Sequence, residues 1–234
     1  MNEFLSHRIN IAIDGPAGAG KSTVARKVAS ELRYVYIDTG AMYRAVTLKV
    51  LEAGLPTDDD ETVGRLADGL DIVLRPGEQQ QQVLVNGEDV TSRLRSLDIN
   101  RSVSYVARLP RVRGRMSELQ RRMAAEKGVV MDGRDIGTHV LPNAELKVFL
   151  TATPRERAKR RFRELGPNPG ITLDELEREI SERDRLDRER EIAPLVQAFD
   201  AKLLDSTGKS ADEVADEIVQ WGLAASRTIS AEEK

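Results

Sequence analysis

Residues 9–23, INIAIDGPAGAGKST, leave this chain little freedom of fold. Ile9, Ile11 and Ile13 form a short β-branched run, which predicts a buried strand. Gly15, Pro16, Ala17, Gly18, Ala19, Gly20, Lys21 and Ser22 then satisfy G-x-x-x-x-G-K-[ST] at every fixed position, with Thr23 following. Val24, Val28 and Leu32 continue as one helical face. Strand, glycine loop and helix in that order are the context a phosphate-binding loop needs. Backbone can wrap a phosphate only where side chains are absent, so the glycines let successive N–H groups point inward. The helix start adds its positive dipole end. Lys21 then reaches the β and γ phosphates, and the Ser22 hydroxyl suits Mg²⁺. The pattern implies binding of a nucleoside triphosphate.

The length of 234 residues allows one full core with smaller attached pieces. A net charge of −3 argues against a generic nucleic-acid binder. The absence of cysteine excludes disulfides and thiolate metal sites, and two histidines are too few for a histidine-based one. No apolar run approaches membrane length, and Met1 to Arg8 has no apolar signal core. The default is a cytoplasmic enzyme with no membrane partner, taken as a monomer although no residue pattern encodes that state.

Further along, Tyr34–Asp38, Val129–Asp132, Glu145–Thr151 and Lys202–Asp205 read as strands. Helices are predicted from Ala41 to Glu52, Ser96 to Leu109, Pro110 to a stop at Gly128 with Val112, Met116, Leu119 and Met123 inward, and Thr153 to Gly166. Pro167 to Gly170 breaks the chain, and Thr172-Leu-Asp-Glu175 is a capping box for another long helix. Ser210-Ala-Asp-Glu213 starts the last helix, with Val214, Ile218 and Trp221 toward the sheet and fraying from Ser226. Pro56–Glu61 reads as an acidic loop. Between Leu70 and Val90, alternation and the turn pair Asn86-Gly87 predict a small antiparallel sheet, with Gln79 to Gln82 as a polar loop.

The fold class is therefore α/β: a parallel five-stranded sheet with helices on both faces, a small antiparallel sheet insert and a helical lid. One domain is expected, its core at about 8–62, 103–152 and 192–225, the insert at about 63–102 and the lid at about 153–191. Ligands belong beyond the carboxyl ends of the strands. Asp38-Thr39-Gly40, Asp132-Gly-Arg-Asp135 and Asp205-Ser-Thr207 fall there. Asp132, ending an apolar strand, suits an Mg²⁺-bound water or nearby backbone N–H groups, and Asp14 is a further candidate.

No Asn-Lys-x-Asp guanine-reading signal occurs. Residues 155–190 carry eleven basic and ten acidic side chains, a balance that disfavours nucleic acid as partner. Phosphoryl transfer to an anionic acceptor needs arginines to offset repulsion, and the Arg fork suits phosphate oxygens. Here Asp38-Thr-Gly-Ala-Met-Tyr-Arg44, Asp132-Gly-Arg-Asp-Ile-Gly-Thr138, Glu182-Arg-Asp-Arg-Leu-Asp-Arg-Glu-Arg190 and Ala193-Pro194-Leu195 resemble the bacterial cytidylate kinases. The likeness runs from about Ile9 to Trp221 and includes the small sheet insert.

The resemblance implies ATP with Mg²⁺ as donor, CMP and dCMP as small-molecule acceptors, and CDP and dCDP as products. It implies that Arg44, Arg134 and Arg190 grip the CMP phosphate, and that Asp187 with Arg183 holds the ribose hydroxyls. Ser104, Arg113 and Asp135 would read cytosine, whose N4 amino donor suits a carboxylate or hydroxyl and whose N3 and O2 suit an arginine. Thr39 stands where the family often carries serine and keeps the hydroxyl. Lys21, Arg134 and Arg190, with Arg157 and Arg160 of the lid, form the catalytic set. Arg161 is a third lid arginine, and the sequence does not choose which of the three reaches the transferred phosphate. Rival readings are a kinase for UMP, AMP or another small acceptor, an ATP-dependent RNA-binding or regulatory module, and a structural ATP-binding domain. Four Phe, four Tyr and one Trp offer little for stacking on single strands.

Overall fold

The computed structural model describes residues 7–77, 81–166 and 170–232. Gln79 and Gln80 of the polar loop, and Pro167 to Pro169 of the expected break, lie outside them. Eight strands and eight α-helices follow one another among the described residues. Five strands form one sheet in the order β2 (Val35–Asp38), β6 (Val129–Gly133), β1 (Asn10–Asp14), β7 (Leu146–Thr151), β8 (Lys202–Asp205). β1 lies parallel to both neighbours, with Ile13 opposite Asp132 on one side and Val148 on the other. No helix among the described residues is long and apolar enough to cross a membrane.

The chain packs as two compact units, residues 1–35 with 126–234, and residues 36–125. In the first, β1 and β6 are buried along their whole length and β7 over most of it, with Ile11, Ile13, Val130, Met131, Val148 and Leu150 inside, as expected of a sheet covered on its faces. Helix α1 (Lys21–Leu32) packs on α8 (Ala211–Glu232), and α6 (Pro154–Glu164) on α7 (Leu173–Glu189). The Thr172–Glu175 capping box is formed in both directions. Gly15 sits against β7 so closely that a Cβ there would lie 1.9 Å from the Leu150 carbonyl oxygen, which fixes glycine at the loop's first position.

The second unit holds α2 (Thr39–Glu52), α3 (Asp60–Asp68), α4 (Leu97–Val106) and α5 (Pro110–Met123). It also holds the antiparallel sheet β3 (Ile72–Arg75), β4 (Gln82–Val85), β5 (Glu88–Asp89). Asn86 and Gly87, at φ 51° and 83°, make the left-handed turn between β4 and β5 that their identities predict.

Several expectations are corrected. The acidic stretch before residue 62 is not all loop: Asp59 caps α3, its carboxylate accepting the Glu61 and Thr62 N–H groups, and Asp60 and Glu61 suit the helix dipole. Gln82 belongs to β4, and the Gln81 amide bonds the Tyr36 carbonyl and the Asp38 N–H. Helix α5 stops at Met123, and its buried face is Val112, Arg113, Met116, Ser117 and Gln120, with Leu119 only half-buried. Trp221 does face the sheet, at its edge: it is half-buried with the ammonium of Lys202 in β8 4.6 Å from its ring centroid, and a Cβ on the neighbouring Gly222 would lie 3.3 Å from Ile11 and Leu32. α8 runs on through Ser226 to Glu232, held by Ser226 Oγ donating to the His7 carbonyl and by His7 Nδ1 against Ser230 Oγ.

Asp14 closes β1 and organises the chain just after β6. Its two carboxylate oxygens accept the Ile136 and Gly137 N–H groups at 2.8 and 2.7 Å, opening a five-residue π-turn, Ile136–Val140. Burial raises its pKa to about 6, against the pull of those backbone donors and Lys21, with Asp135 adding to the rise. A carboxyl whose folded-state pKa lies above its unfolded value near 3.8 favours the fold most at low pH, and loses that contribution as pH rises through about 6. Wild type minus Asp14→Asn unfolding free energy, from urea titrations, should therefore fall by about 2 kcal/mol between pH 4 and 6, about 1 kcal/mol per pH unit. A difference independent of pH would refute this account of Asp14.

Candidate active site

The first unit gathers most of the polar residues singled out by sequence, at the carboxyl ends of β1, β6 and β8. The glycine loop leads into α1, whose N-cap, Gly20, supplies no side-chain bond, so the first N–H groups of the helix are left for an anion. Lys21 Nζ donates to the Pro16 carbonyl at 2.7 Å, and Ser22 Oγ donates to Asp132 Oδ2 at 2.9 Å. A hydroxyl beside a carboxylate is the oxygen set that a hard divalent cation takes. Asp14, at the end of the neighbouring strand, binds backbone: its two oxygens accept the N–H groups of Ile136 and Gly137.

Beyond β6, Arg134 Nε donates to Asp187 Oδ2 at 2.7 Å and Nη1 to the Gly133 carbonyl at 3.3 Å. Arg190, at the end of α7, donates from Nη2 to Asp135 Oδ1 at 3.1 Å and from Nε to the Ala193 carbonyl at 2.6 Å. The Leu195 N–H returns to the Asp187 carbonyl at 2.8 Å, so Ala193-Pro194-Leu195 folds back on the helix end and holds Arg190 in place. Arg183 lies one turn before Asp187 and adds to the positive field around it.

The charges here are buried together. Burial pushes the Lys21 ammonium well below its ordinary range and Arg134 adds to the fall, while Asp132, Asp187 and Asp14 oppose it. Burial likewise works against the charge of Arg134, yet Asp187, Asp132 and Asp184 outweigh it and hold that guanidinium above its ordinary value. Burial would raise Asp187, but Arg134, Arg183 and Arg190 keep its carboxyl below the usual range. The loop lysine and the arginine after β6 are thus close enough to feel each other's charge, which brings the two candidate anion sites together within one unit.

The lid arginines divide three ways. Arg161 pairs with Glu164 on the solvent side. Arg160 donates to the Ser206 carbonyl at 2.6 Å, the Ser206 hydroxyl at 3.0 Å and the Ala19 carbonyl at 3.3 Å. Arg157 is 2% exposed and donates to Asp184, to the Ala152 carbonyl and to the Ala17 carbonyl of the phosphate loop. The participation of Ser206 and Asp184 goes beyond the sequence reading. Ser206 lies in the Asp205-Ser-Thr207 stretch, polar residues at a strand end. Asp184 is one of two buried carboxylates in a helix whose many charges otherwise face solvent.

The second unit carries the remaining expected residues. Thr39 opens α2, buried. Arg44 Nη2 reaches both oxygens of Asp38 at 3.1 and 3.2 Å, while Asp38 also caps α2 through the Ala41 N–H. Arg113 is 1% exposed, donating to the Ala107 carbonyl at 3.0 Å with its guanidinium 5.8 Å from the Tyr43 ring centroid. Ser104 is half-buried on α4.

The cytidylate kinase family profile matches residues 11–222. The cytidylate kinase of Geobacillus kaustophilus is 52% identical over 217 residues, spanning 92% of this chain and 97% of the relative. That of Exiguobacterium sp. is 51% identical over 212 residues, 90% of this chain and 94% of the relative. A solved gluconokinase from Sinorhizobium meliloti 1021 superposes with a TM-score of 0.51 at 15% identity, over 97% of this chain and all of that one, a likeness of fold alone. With half its residues matched across nine-tenths of its length, the chain belongs to the cytidylate kinase family and is a nucleoside monophosphate kinase, a phosphotransferase.

Proposed function

We propose that the chain transfers the γ-phosphoryl group of ATP to CMP or dCMP, giving ADP and CDP or dCDP. The observation that carries this reading is the charge cluster of the first unit. Lys21 of the glycine loop and Arg134, with Arg190 nearby in the same motif set, are cations shielded from solvent beside the carboxylates Asp132, Asp187 and Asp135. Such a set fits two phosphate groups brought side by side.

In this reading the loop N–H groups and Lys21 hold the β and γ phosphates. Ser22 and Asp132 would hold Mg²⁺, which when bound offsets charge on the phosphate oxygens. Among the described residues no group of three or more His, Cys, Asp or Glu is placed to hold a metal ion. Arg134 and Arg190 exchange their Asp187 and Asp135 partners, wholly or in part, for the acceptor phosphate. Asp187 and Arg183 then face ribose. Asp135 takes the cytosine amino group, and the family resemblance assigns Thr39, Arg44, Ser104 and Arg113 to the same nucleotide. Arg160 stays on the donor side, and the 153–191 lid excludes water from the transferred group. No general base is required, because a phosphate monoester oxygen is already anionic. Positioning and charge stabilisation suffice for in-line transfer.

Turnover with ATP·Mg²⁺ and a panel of CMP, dCMP, UMP and AMP should favour the cytidine nucleotides, and preference for AMP would overturn the cytosine assignment. Lys21→Ala should lose at least about a thousandfold in kcat while circular dichroism and Tm stay near wild type, since it removes the charge meeting the transferred group. Asp135→Asn should cost CMP about 1–3 kcal/mol of transition-state binding, roughly fivefold to 150-fold in kcat/KM, with a much smaller loss for UMP. Equal losses on both would exclude base reading at residue 135.

A further inference from the structure

Three carbonyls of the phosphate loop accept hydrogen bonds from side chains, two of them from beyond the loop. Pro16 O accepts from Lys21 Nζ at 2.7 Å, Ala17 O from Arg157 Nη1 at 2.9 Å, and Ala19 O from Ser206 Oγ at 3.2 Å and Arg160 Nη1 at 3.3 Å. A trans peptide is planar, with its C=O and the next residue's N–H pointing opposite ways. A bond that fixes the Ala17 carbonyl therefore fixes the direction of the Gly18 N–H, which is to meet a phosphate oxygen.

Arg157 is built for that hold and for little else. Its Nη1 and Nη2 grip Asp184 Oδ1 and Oδ2 at 3.0 and 2.6 Å, and its Nε donates to the Ala152 carbonyl at 2.9 Å. With the Ala17 bond, four hydrogen bonds occupy a guanidinium with five N–H donors. The pair is buried, with side-chain exposures of 2% and 4%. Burying two charges brings no assured gain in stability over apolar side chains of like volume, so their retention here calls for another reason. Gly18 supplies a complementary fit: a Cβ there would lie 3.2 Å from Arg157 Cβ, and its φ of +76° is one that side-chain-bearing residues rarely adopt.

We infer that Arg157 and Asp184 are positioning residues of the donor site, acting on the triphosphate only through the orientation of the Ala17–Gly18 peptide. Asp184 of α7 fixes the guanidinium, and the guanidinium, carried on α6, fixes the loop. The two lid helices are thereby tied to the phosphate cradle at their base. The inference rests on the proposed binding of ATP at that loop.

Steady-state kinetics with ATP and CMP varied separately test it. Wild type must first phosphorylate CMP; if it phosphorylates no nucleotide, the proposed function fails and this inference is not what failed. Arg157→Lys keeps the charge but loses the fork needed to span Asp184, Ala152 and Ala17. It should raise KM for ATP at least tenfold and leave KM for CMP within twofold. Asp184→Asn should do the same, and combining the two should add less than a further twofold. The paired change Arg157→Met with Asp184→Leu removes both buried charges together, and covers the case in which a single change prevents folding. With Tm near wild type it too should raise KM for ATP tenfold. A folded paired variant with unchanged KM for ATP overturns the inference. So does a loss of kcat in Arg157→Lys that Asp184→Asn does not share, which would place Arg157 on the transferred phosphate itself.

Discussion

A loop that binds phosphate with its backbone depends on the orientation of a few peptide planes, and much of the first unit bears on those planes. Gly15 lets β7 approach to within contact of the loop's first residue, and Asp14 immediately before it is locked to residues 136 and 137. Carbonyls of the loop accept from side chains in the first turns of α6 and from Ser206 after β8. Side chains from distant parts of the chain thus fix the direction of loop peptide planes. Binding energy then need not be spent on ordering the loop.

The second demand is electrical. Lys21, Asp132, Asp135 and Asp187 are buried and Arg134 is half-buried, so an unpartnered charge among them is costly. The Arg134–Asp187 ion pair offsets burial on both sides, holding the Asp187 carboxyl below its ordinary range and the Arg134 guanidinium above its own. Lys21 fares differently: burial and Arg134 together depress it, so an anion in the loop relieves a tension already present in the protein. Within the proposed function, the phosphates of the two nucleotides complete a charge arrangement that the protein has only partly satisfied.

The parts of the fold governed by short-range rules are legible in the sequence. The glycine loop, the capping boxes at Thr172 and Ser210, and the Asn86-Gly87 turn each depend on residues within a few positions of one another. Long-range packing is less legible. Nothing local announces that Trp221 meets the sheet at its edge, over Lys202 of β8, while the neighbouring Gly222 is the more tightly enclosed by Ile11, Leu32 and Leu146. The buried face of α5 differs from its apolar stripe for the same reason: Arg113, Ser117 and Gln120 look like solvent-facing residues until their surroundings are known. Helix α3 escapes a reading by composition because Asp59, Asp60 and Glu61 suggest a loop, although an aspartate cap with acids in the first turn is equally a helix start. At the candidate site, residue types are readable and partnerships are not. Arg157 can be counted among the lid arginines from its position alone, but its burial against Asp184 requires two helices packed together.

The ion pairs of Arg134 with Asp187 and Arg190 with Asp135 have one more consequence for the proposed chemistry. An acceptor arriving there meets a nearly neutral surface, so long-range attraction is weak and the encounter rate should vary little with ionic strength. Its affinity is the difference between the attraction of guanidinium for phosphate and the attraction for carboxylate that must first be broken. After transfer the same carboxylates stand ready to reclaim the guanidinium groups, which eases departure of the more highly charged diphosphate.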